Sequence, residues 1–243
     1  MGAWTKRRAD APLGAFVAEA AGLDFIRVEG GPPVPRVLDI TATTIRLDEV
    51  VTAGPTAATA EDFGRRLAVL HASPAPAYGA PWTGFIGPTD DLLPMDNMAD
   101  ATWAEHFATR RVLPALREAR DRSRISPDDA AAVEVVLGRL ADLVPDPGAR
   151  RIHGDLWSGN VLWAADAAWL IDPAAHGGHP ETDLAMLQLF GLPFLDTVLS
   201  SYSPDTSWRE RTPVHQLWPL LVHAALFGGD YGSRAGAAAR SVA

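Results

Sequence analysis

The chain has 243 residues, 47% of them apolar, enough to bury a sizeable core as one large domain or two lobes sharing a cleft, and its lack of cysteine excludes disulfides, thiolate metal sites and cysteine nucleophiles. Thirty acidic against 21 basic residues give a net charge of −9, which argues against a phosphate-backbone binder and so against nucleic acid as a partner. No uncharged apolar run of about 18 residues occurs, and the opening MGAWTKRRADAP lacks the apolar stretch of a secretory signal, so a globular cytoplasmic protein with no membrane partner is expected.

In chain order, Trp4–Arg8 reads as a strand ending in charge, and Pro12–Leu23 as a helix with Phe16, Ala20 and Leu23 on one face. GGPPVP at 30–35 must turn, and Val37–Ile40 and Thr43–Leu47 follow as β-branched strands. A small sheet-containing lobe over residues 1–52 is therefore expected. From Thr59, a plausible N-cap with Phe63, Leu67 and Leu70 at helical spacing behind it, the signals turn helical, giving a second lobe over 53–243. There a Pro- and Gly-rich loop covers Ser73–Pro94, a helix covers about 101–120 with a kink at Pro114, and another covers about 128–143 behind the cap Ser126 and Pro127. The cluster Arg117, Arg120, Arg122 and Arg124 reads as a solvated helix end. A short strand at Arg151–Ile152 precedes a loop, and Val161–Trp163 and Ala168–Ile171 frame a hairpin. An apolar helix follows Asp183 over Leu184–Phe190, and the tail from Ser233 reads as frayed or disordered.

The chemical information sits in His153-Gly154-Asp155-Leu156-Trp157-Ser158-Gly159-Asn160, followed by the hairpin and then Ile171-Asp172-Pro173. Phosphoryl transfer asks little covalent help of a protein. It needs a carboxylate to align the nucleophilic hydroxyl and oxygen ligands to hold magnesium against the phosphates. Asp155 suits the first role and Asn160 and Asp172 the second, because the loop sets Asp155 and Asn160 apart and the hairpin returns Asp172 to the same cleft. Singly, HGD is a turn, Asn160 a cap and IDP a strand end; with this spacing together they form the catalytic pattern of the protein-kinase-like superfamily. Trp157, between Asp155 and Asn160, is placed to offer a platform to a sugar face. His176 and His179, flanking two glycines, read as polar loop residues and not as a metal pair.

On HGDLWSGNVLW at 153–163, IDPAAHGGHPETDLAM at 171–186 and WAEHFATRRVLPAL at 103–116, the chain resembles the fructosamine kinase (ketosamine-3-kinase) family, whose fold is shared with the aminoglycoside phosphotransferases. Weaker echoes, including GFIG at 84–87 and KRRADAPLGAFVAEAAGLDFIR at 6–27, extend the likeness over most of the chain. The resemblance implies an α+β, protein-kinase-like two-lobed fold. It also implies ATP-dependent phosphorylation of the sugar 3-hydroxyl of a small-molecule or protein-bound ketosamine, a deglycation reaction that uses ATP and Mg2+. By it, Lys6 holds the α- and β-phosphates, Glu19 pairs with Lys6, the stretch through Glu49 and Val51 meets adenine, and His153 and Asp183 support the catalytic loop.

Members of that family place two strands and a glycine-containing phosphate loop ahead of the lysine-bearing strand, whereas here the strand of Lys6 opens the chain. A truncated N-terminal lobe is therefore expected, with an open sheet edge and no lid over the phosphates if translation begins at Met1. Two alternatives follow: a catalytically impaired nucleotide- or sugar-binding remnant, or a kinase for another small alcohol such as an aminoglycoside. Trp157 and the 103–116 segment argue against the second.

Overall fold

The computed structural model describes residues 2–88 and 91–243. Strand β1 (Ala3–Arg7) leads to helix α1 (Ala15–Phe25) and to strands β2 (Val37–Ile40) and β3 (Thr44–Asp48). The sheet is antiparallel in the order β1-β3-β2, with Lys6 opposite Ile45. Period-two alternation turns Ile45 and Leu47 of β3 inward, where they meet Phe16, Leu23 and Ile26 in a single apolar cluster.

Helix α2 (Ala57–Ala72) is capped by Thr56 and not by Thr59. The Thr56 hydroxyl accepts the Thr59 N–H at 3.1 Å, and the Thr59 hydroxyl accepts the Thr56 N–H at 3.0 Å. This reciprocal capping box explains why a threonine three residues inside the helix resembles a cap in sequence. Ala60, Phe63, Leu67 and Leu70 lie along one face of α2 and join the cluster that holds α1 and β3, so the apolar core runs across residues 52 and 53.

The Pro- and Gly-rich stretch expected as loop folds back as a hairpin, β4 (Gly84–Ile86) paired with β5 (Leu93–Met95); its residues 89 and 90 lie outside the described residues. Helix α3 (Trp103–His106) runs through a wide π turn, Phe107–Val112, into α4 (Leu113–Asp121). The break expected at Pro114 falls ahead of it: the Leu113 N–H reaches back five residues to the Ala108 carbonyl. Helices α5 (Pro127–Leu137) and α6 (Leu140–Leu143) precede strand β6 (Arg150–Ile152), a 3₁₀ turn at Ser158–Asn160, and the hairpin β7 (Val161–Trp163) and β8 (Ala168–Leu170). Strand β9 (His176–Gly178) then pairs with β6, and helices α7 (Pro180–Phe190), α8 (Leu195–Tyr202), α9 (Trp208–Phe227) and α10 (Tyr231–Arg240) complete the helical part.

The tail is ordered where fraying was expected. Ala235 and Ala239 of α10 are fully buried against α9 and α5, and a Cβ on Gly236 would fall 2.0 Å from Asp129 Oδ1. Alanine and glycine give little hydrophobic signal in sequence, yet their small size is what admits this close packing. The arginine cluster is also ion-paired: Arg122 bridges Asp91 and Glu118, and Arg120 meets Glu134.

Helices α2 and α8 approach so closely that a Cβ on Gly64 would lie 2.3 Å from the Val198 carbonyl oxygen. Gly64→Ala should therefore destabilise the fold by about 1–3 kcal/mol, the usual cost of overpacking, read as a lower midpoint in urea unfolding. An unchanged midpoint would mean that the two helices are not in this contact.

Candidate active site

The loop between β6 and β7 is held from behind by one carboxylate. Asp183, 1% exposed, accepts the His153 N–H at 2.7 Å on Oδ2 and the Gly154 N–H at 2.9 Å on Oδ1. His71 Nε2 of α2 stands 3.1 Å from the same Oδ2, and the Tyr202 hydroxyl of α8 stands 3.0 Å from His71 Nδ1. Three helices thus fix one turn of backbone. Gly154 adopts φ +78°, and a Cβ there would meet the Ala174 carbonyl at 2.3 Å, so no other residue fits. His153, fully buried, donates from Nε2 to the Ile171 carbonyl at 2.9 Å and accepts the Asp155 N–H on Nδ1 at 3.2 Å. Those roles require the neutral ring, and burial lowers its pKa accordingly.

Asp155 emerges from this turn into the cleft. Its Oδ2 accepts from Asn160 Nδ2 at 3.0 Å, and the same nitrogen donates to the Asp155 carbonyl at 2.8 Å. The Asn160 amide nitrogen is committed to Asp155, which leaves its oxygen as the group offered to a ligand. Burial pushes the Asp155 carboxyl up to about 7; the charges of Asp172 and Asp183 add to this, while the Asn160 bond and Lys6 oppose it.

Asp172 follows β8 in a left-handed conformation, φ +50°, uncommon for a residue with a side chain and a form of strain found at functional sites. Its Oδ1 lies 2.7 Å from Lys6 Nζ, and Lys6 lies 3.0 Å from Glu19 Oε2. Burial works against the charge on Lys6, but its two carboxylates more than compensate and raise its pKa. Burial likewise disfavours the Asp172 carboxylate, and the Lys6 charge overcomes it and holds that carboxyl below its ordinary range. Glu19 is pushed up to about 8 by burial and by the charge of Asp172, against the pull of Lys6. One ammonium cannot fully serve two carboxylates, and the more deeply buried Glu19 is the one it serves less.

Lys6, Glu19, Asp155, Trp157, Asn160 and Asp172 all line one cleft of about 440 Å³. Trp157 is 43% exposed, its indole folded over the loop so closely that a Cβ on Gly159 would sit 2.2 Å from the ring. His153 and Asp183 stand behind this wall. Glu49 and Val51 lie outside it, where the chain crosses from β3 toward β7; the Ala53 N–H donates to the Trp163 carbonyl at 2.7 Å, and Val51 is 81% exposed.

His176 and His179 are not loop residues. Both are buried, His176 on β9, accepting from Arg111 Nε at 3.3 Å, and His179 as the cap of α7, accepting the Glu181 N–H at 3.1 Å. His179 groups with Glu181 and His215 closely enough to hold a metal ion, yet Arg211 takes both Glu181 oxygens at 2.9 and 2.5 Å, and its charge opposes a cation there. Arg8, Trp82 and Phe85, to which residue type alone assigns no role in the site, also share the cleft wall. Arg8 carried a legible signal, because it stands two residues from Lys6 on one extended segment and so on the same face.

A sequence profile of the fructosamine kinase family matches residues 4–242. A solved structure named "putative fructosamine-3-kinase", from Thermobifida fusca, shares 48% identity at TM-score 0.92, covering 99% of this chain and 85% of that one. "Probable ketoamine kinase YniA" of Escherichia coli strain K12 is 33% identical over 227 residues, 90% of this chain and 77% of that protein. The structure of aminoglycoside phosphotransferase APH(2'')-Ib, ADP-bound, covers 86% of this chain and 75% of its own at TM-score 0.55 and 12% identity, a likeness of fold alone. The fold is thus the α+β, protein-kinase-like one. No described helix is long and apolar enough to cross a membrane.

Asp183→Asn would turn an amide NH2 toward one of two buried N–H donors. It should destabilise the fold by about 1–3 kcal/mol, the cost of one unsatisfied buried group, measured by urea unfolding. A variant as stable as the parent would show that another acceptor can serve these donors.

Proposed function

The chain belongs to the fructosamine kinase family, and we propose that it transfers the terminal phosphoryl group of ATP to the 3-hydroxyl of a ketosamine, fructosamine or ribulosamine, as a small-molecule phosphotransferase acting in deglycation. The observation that carries this reading is the meeting, in one cleft, of Asp155 with its raised pKa, the Asn160 amide oxygen and the Lys6–Asp172 pair. The names of the relatives favour a ketosamine over an aminoglycoside acceptor, and the complete polar set favours an enzyme over a remnant. Acceptors are free or protein-bound ketosamines. Dependence on ATP assigns the work to the cytoplasm.

Asp155 accepts a hydrogen bond from the sugar hydroxyl and takes its proton as that oxygen forms a bond to the γ-phosphorus. The bond from the γ-phosphorus to the bridging oxygen breaks, and ADP leaves with the electron pair. A pKa near 7 suits this task, since the group must be ionised before the step and able to hold a proton after it. Lys6, positioned by Glu19 and Asp172, draws the α- and β-phosphates to the sheet. Trp157 stacks on the sugar face, and the exposed turn through Glu49 and Val51 presents backbone to adenine. His153 and Asp183 hold Asp155 in place without touching either substrate. Residues 1–52 serve mainly the nucleotide and residues 53–243 the acceptor and the chemistry.

Asn160 Oδ1 and the Asp172 carboxylate are hard oxygen donors on neighbouring walls, a set that fits magnesium. Held by them, Mg2+ would neutralise charge on the phosphates.

With fructosyl-lysine and MgATP, Asp155→Asn should lower kcat by about 10²–10⁴, the usual contribution of a positioned base, with ATP affinity nearly unchanged because the lost interaction belongs to the transition state. Equal turnover by parent and variant would remove Asp155 from the chemistry.

The kcat/KM of the parent should rise with pH through about 7 as Asp155 ionises, and a profile flat between pH 6 and 8 would contradict this. The same shift has a sign for stability. A carboxyl whose folded pKa lies above its unfolded value holds its proton better when folded, so its burial costs nothing at low pH and most above the folded pKa. Asp155→Asn should therefore gain in melting temperature over the parent as pH rises from about 4 to 7.

A further inference from the structure

Arg8 is a charged group of the cleft wall to which the phosphotransfer reading gives no work. It stands two residues beyond Lys6, and its N–H donates to the Thr43 carbonyl at 2.9 Å, prolonging the β1–β3 ladder. Strand alternation therefore turns it to the same face as Lys6. Arg8 is 8% exposed, and its Nε and Nη1 are sealed from solvent with no hydrogen-bond partner among the described residues. Asp10 Oδ1 is 3.6 Å from Nε, beyond hydrogen-bond reach, on a side chain that is 82% exposed.

A second buried guanidinium in the same molecule shows the contrast. Arg111 donates from Nη1 to the Asp96 carbonyl at 2.8 Å, from Nη2 to Asn97 Oδ1 at 2.5 Å and from Nε to His176 at 3.3 Å. Where a buried arginine serves packing, this fold satisfies it; at Arg8, on the wall of the substrate cleft, it does not. A buried charge without partners is costly and persists where something else completes it. The other α1 residues that line the cleft, Ala15, Phe16 and Ala18, offer no carboxylate, and Glu19 is engaged by Lys6. A planar fork of N–H donors matches a phosphate or a carboxylate.

We propose that Arg8 is an oxyanion-binding group of this cleft, completed either by the terminal phosphate of the nucleotide or by a carboxylate on the amine portion of the acceptor. The choice between these two sources rests on the proposed function; the existence of the anion site does not. The net charge of −9 makes general anion binding unfavourable, so an anion effect reports a local site.

The test is thermal unfolding of the full chain, parent against Arg8→Met, titrated separately with tripolyphosphate, fructosyl-glycine and its decarboxylated counterpart fructosyl-methylamine. A stabilisation by tripolyphosphate whose apparent affinity falls roughly tenfold or more in Arg8→Met assigns the phosphate. A stabilisation by fructosyl-glycine, absent with fructosyl-methylamine and lost in Arg8→Met, assigns the acceptor carboxylate. Without ligand, Arg8→Met should melt at or above the parent, since it removes a buried guanidinium whose Nε and Nη1 make no hydrogen bond and whose ion pair with the exposed Asp10 is long. If it melts far below, Arg8→Gln makes the same comparison. Identical anion responses in parent and variant, or no response in the parent, overturn the proposal. Should no ketosamine be turned over while the anion response still depends on Arg8, the acceptor assignment falls and the anion site stands.

Discussion

One ammonium group organises this cleft. Lys6 Nζ is 3.0 Å from Glu19 and 2.7 Å from Asp172, so a strand, the helix after it and a loop 166 residues further along the chain meet at a single cation. Remove it and Glu19 and Asp172 face each other with no cation between them, so both lose the charge that stabilises their ionised forms. The arrangement is also unbalanced: Glu19, Asp155 and Asp172 line the cleft, and the lysine there touches only Glu19 and Asp172. Burial first, and that surplus after it, raise Glu19 and Asp155, and the surplus leaves the carboxylates receptive to further positive charge.

The Lys6 contact holds only because its two sides are fixed independently. On one side α1 and β3 share an apolar cluster with α2, Leu156 and Leu170, so the small sheet is seated on the helical part and not merely tethered to it. On the other side Asp183 collects His153, Gly154 and His71, and His71 reaches Tyr202. The catalytic loop therefore inherits its position from α2, α7 and α8. Residues that never approach a substrate determine where Asp155 points.

How much of this is legible in sequence follows from which forces leave a local trace. The loop His153–Asn160 and the return of Asp172 are fixed by short-range spacing, and the chain carries them openly. The strands β2 and β3 announce themselves through β-branched residues. The hairpin β4–β5 and strand β9 do not, because Gly-Phe-Ile, Leu-Pro-Met and His-Gly-Gly are three-residue pieces interrupted by glycine or proline, too short to stand out in sequence and held by their pairing. Helix α10 is hidden for a related reason, its burial resting on small residues. Arg8 sits in Lys-Arg-Arg, which reads as a solvated charge run until the strand face is considered. The two histidines beside Gly177 and Gly178 look like loop residues because the partners that bury them lie on α3, the π turn and α9.

Several unfavourable features of the molecule meet at the cleft. Elsewhere many local rules are met, since the α2 cap is reciprocal, the buried Arg111 is hydrogen-bonded from all three nitrogens and Glu181 is bidentate with Arg211. Even there, Asn97 Nδ2, His106 Nε2 and His215 Nε2 are buried without a hydrogen-bond partner among the described residues, and Ser123, Phe194 and Ser203 are left-handed. Around the cleft several rules are broken together, by a left-handed Asp172, a buried Glu19 Oε1 without a partner, a carboxyl at Asp155 raised by burial and a guanidinium at Arg8 whose Nε and Nη1 no hydrogen bond completes. What sets the cleft apart is that each group lacking there is one a ligand can supply: cations for the surplus carboxylates, an anion for Arg8, a hydroxyl for Asp155. Each such ligand binds the folded chain and not the unfolded one, so binding returns stability to the part of the fold that is least stable alone.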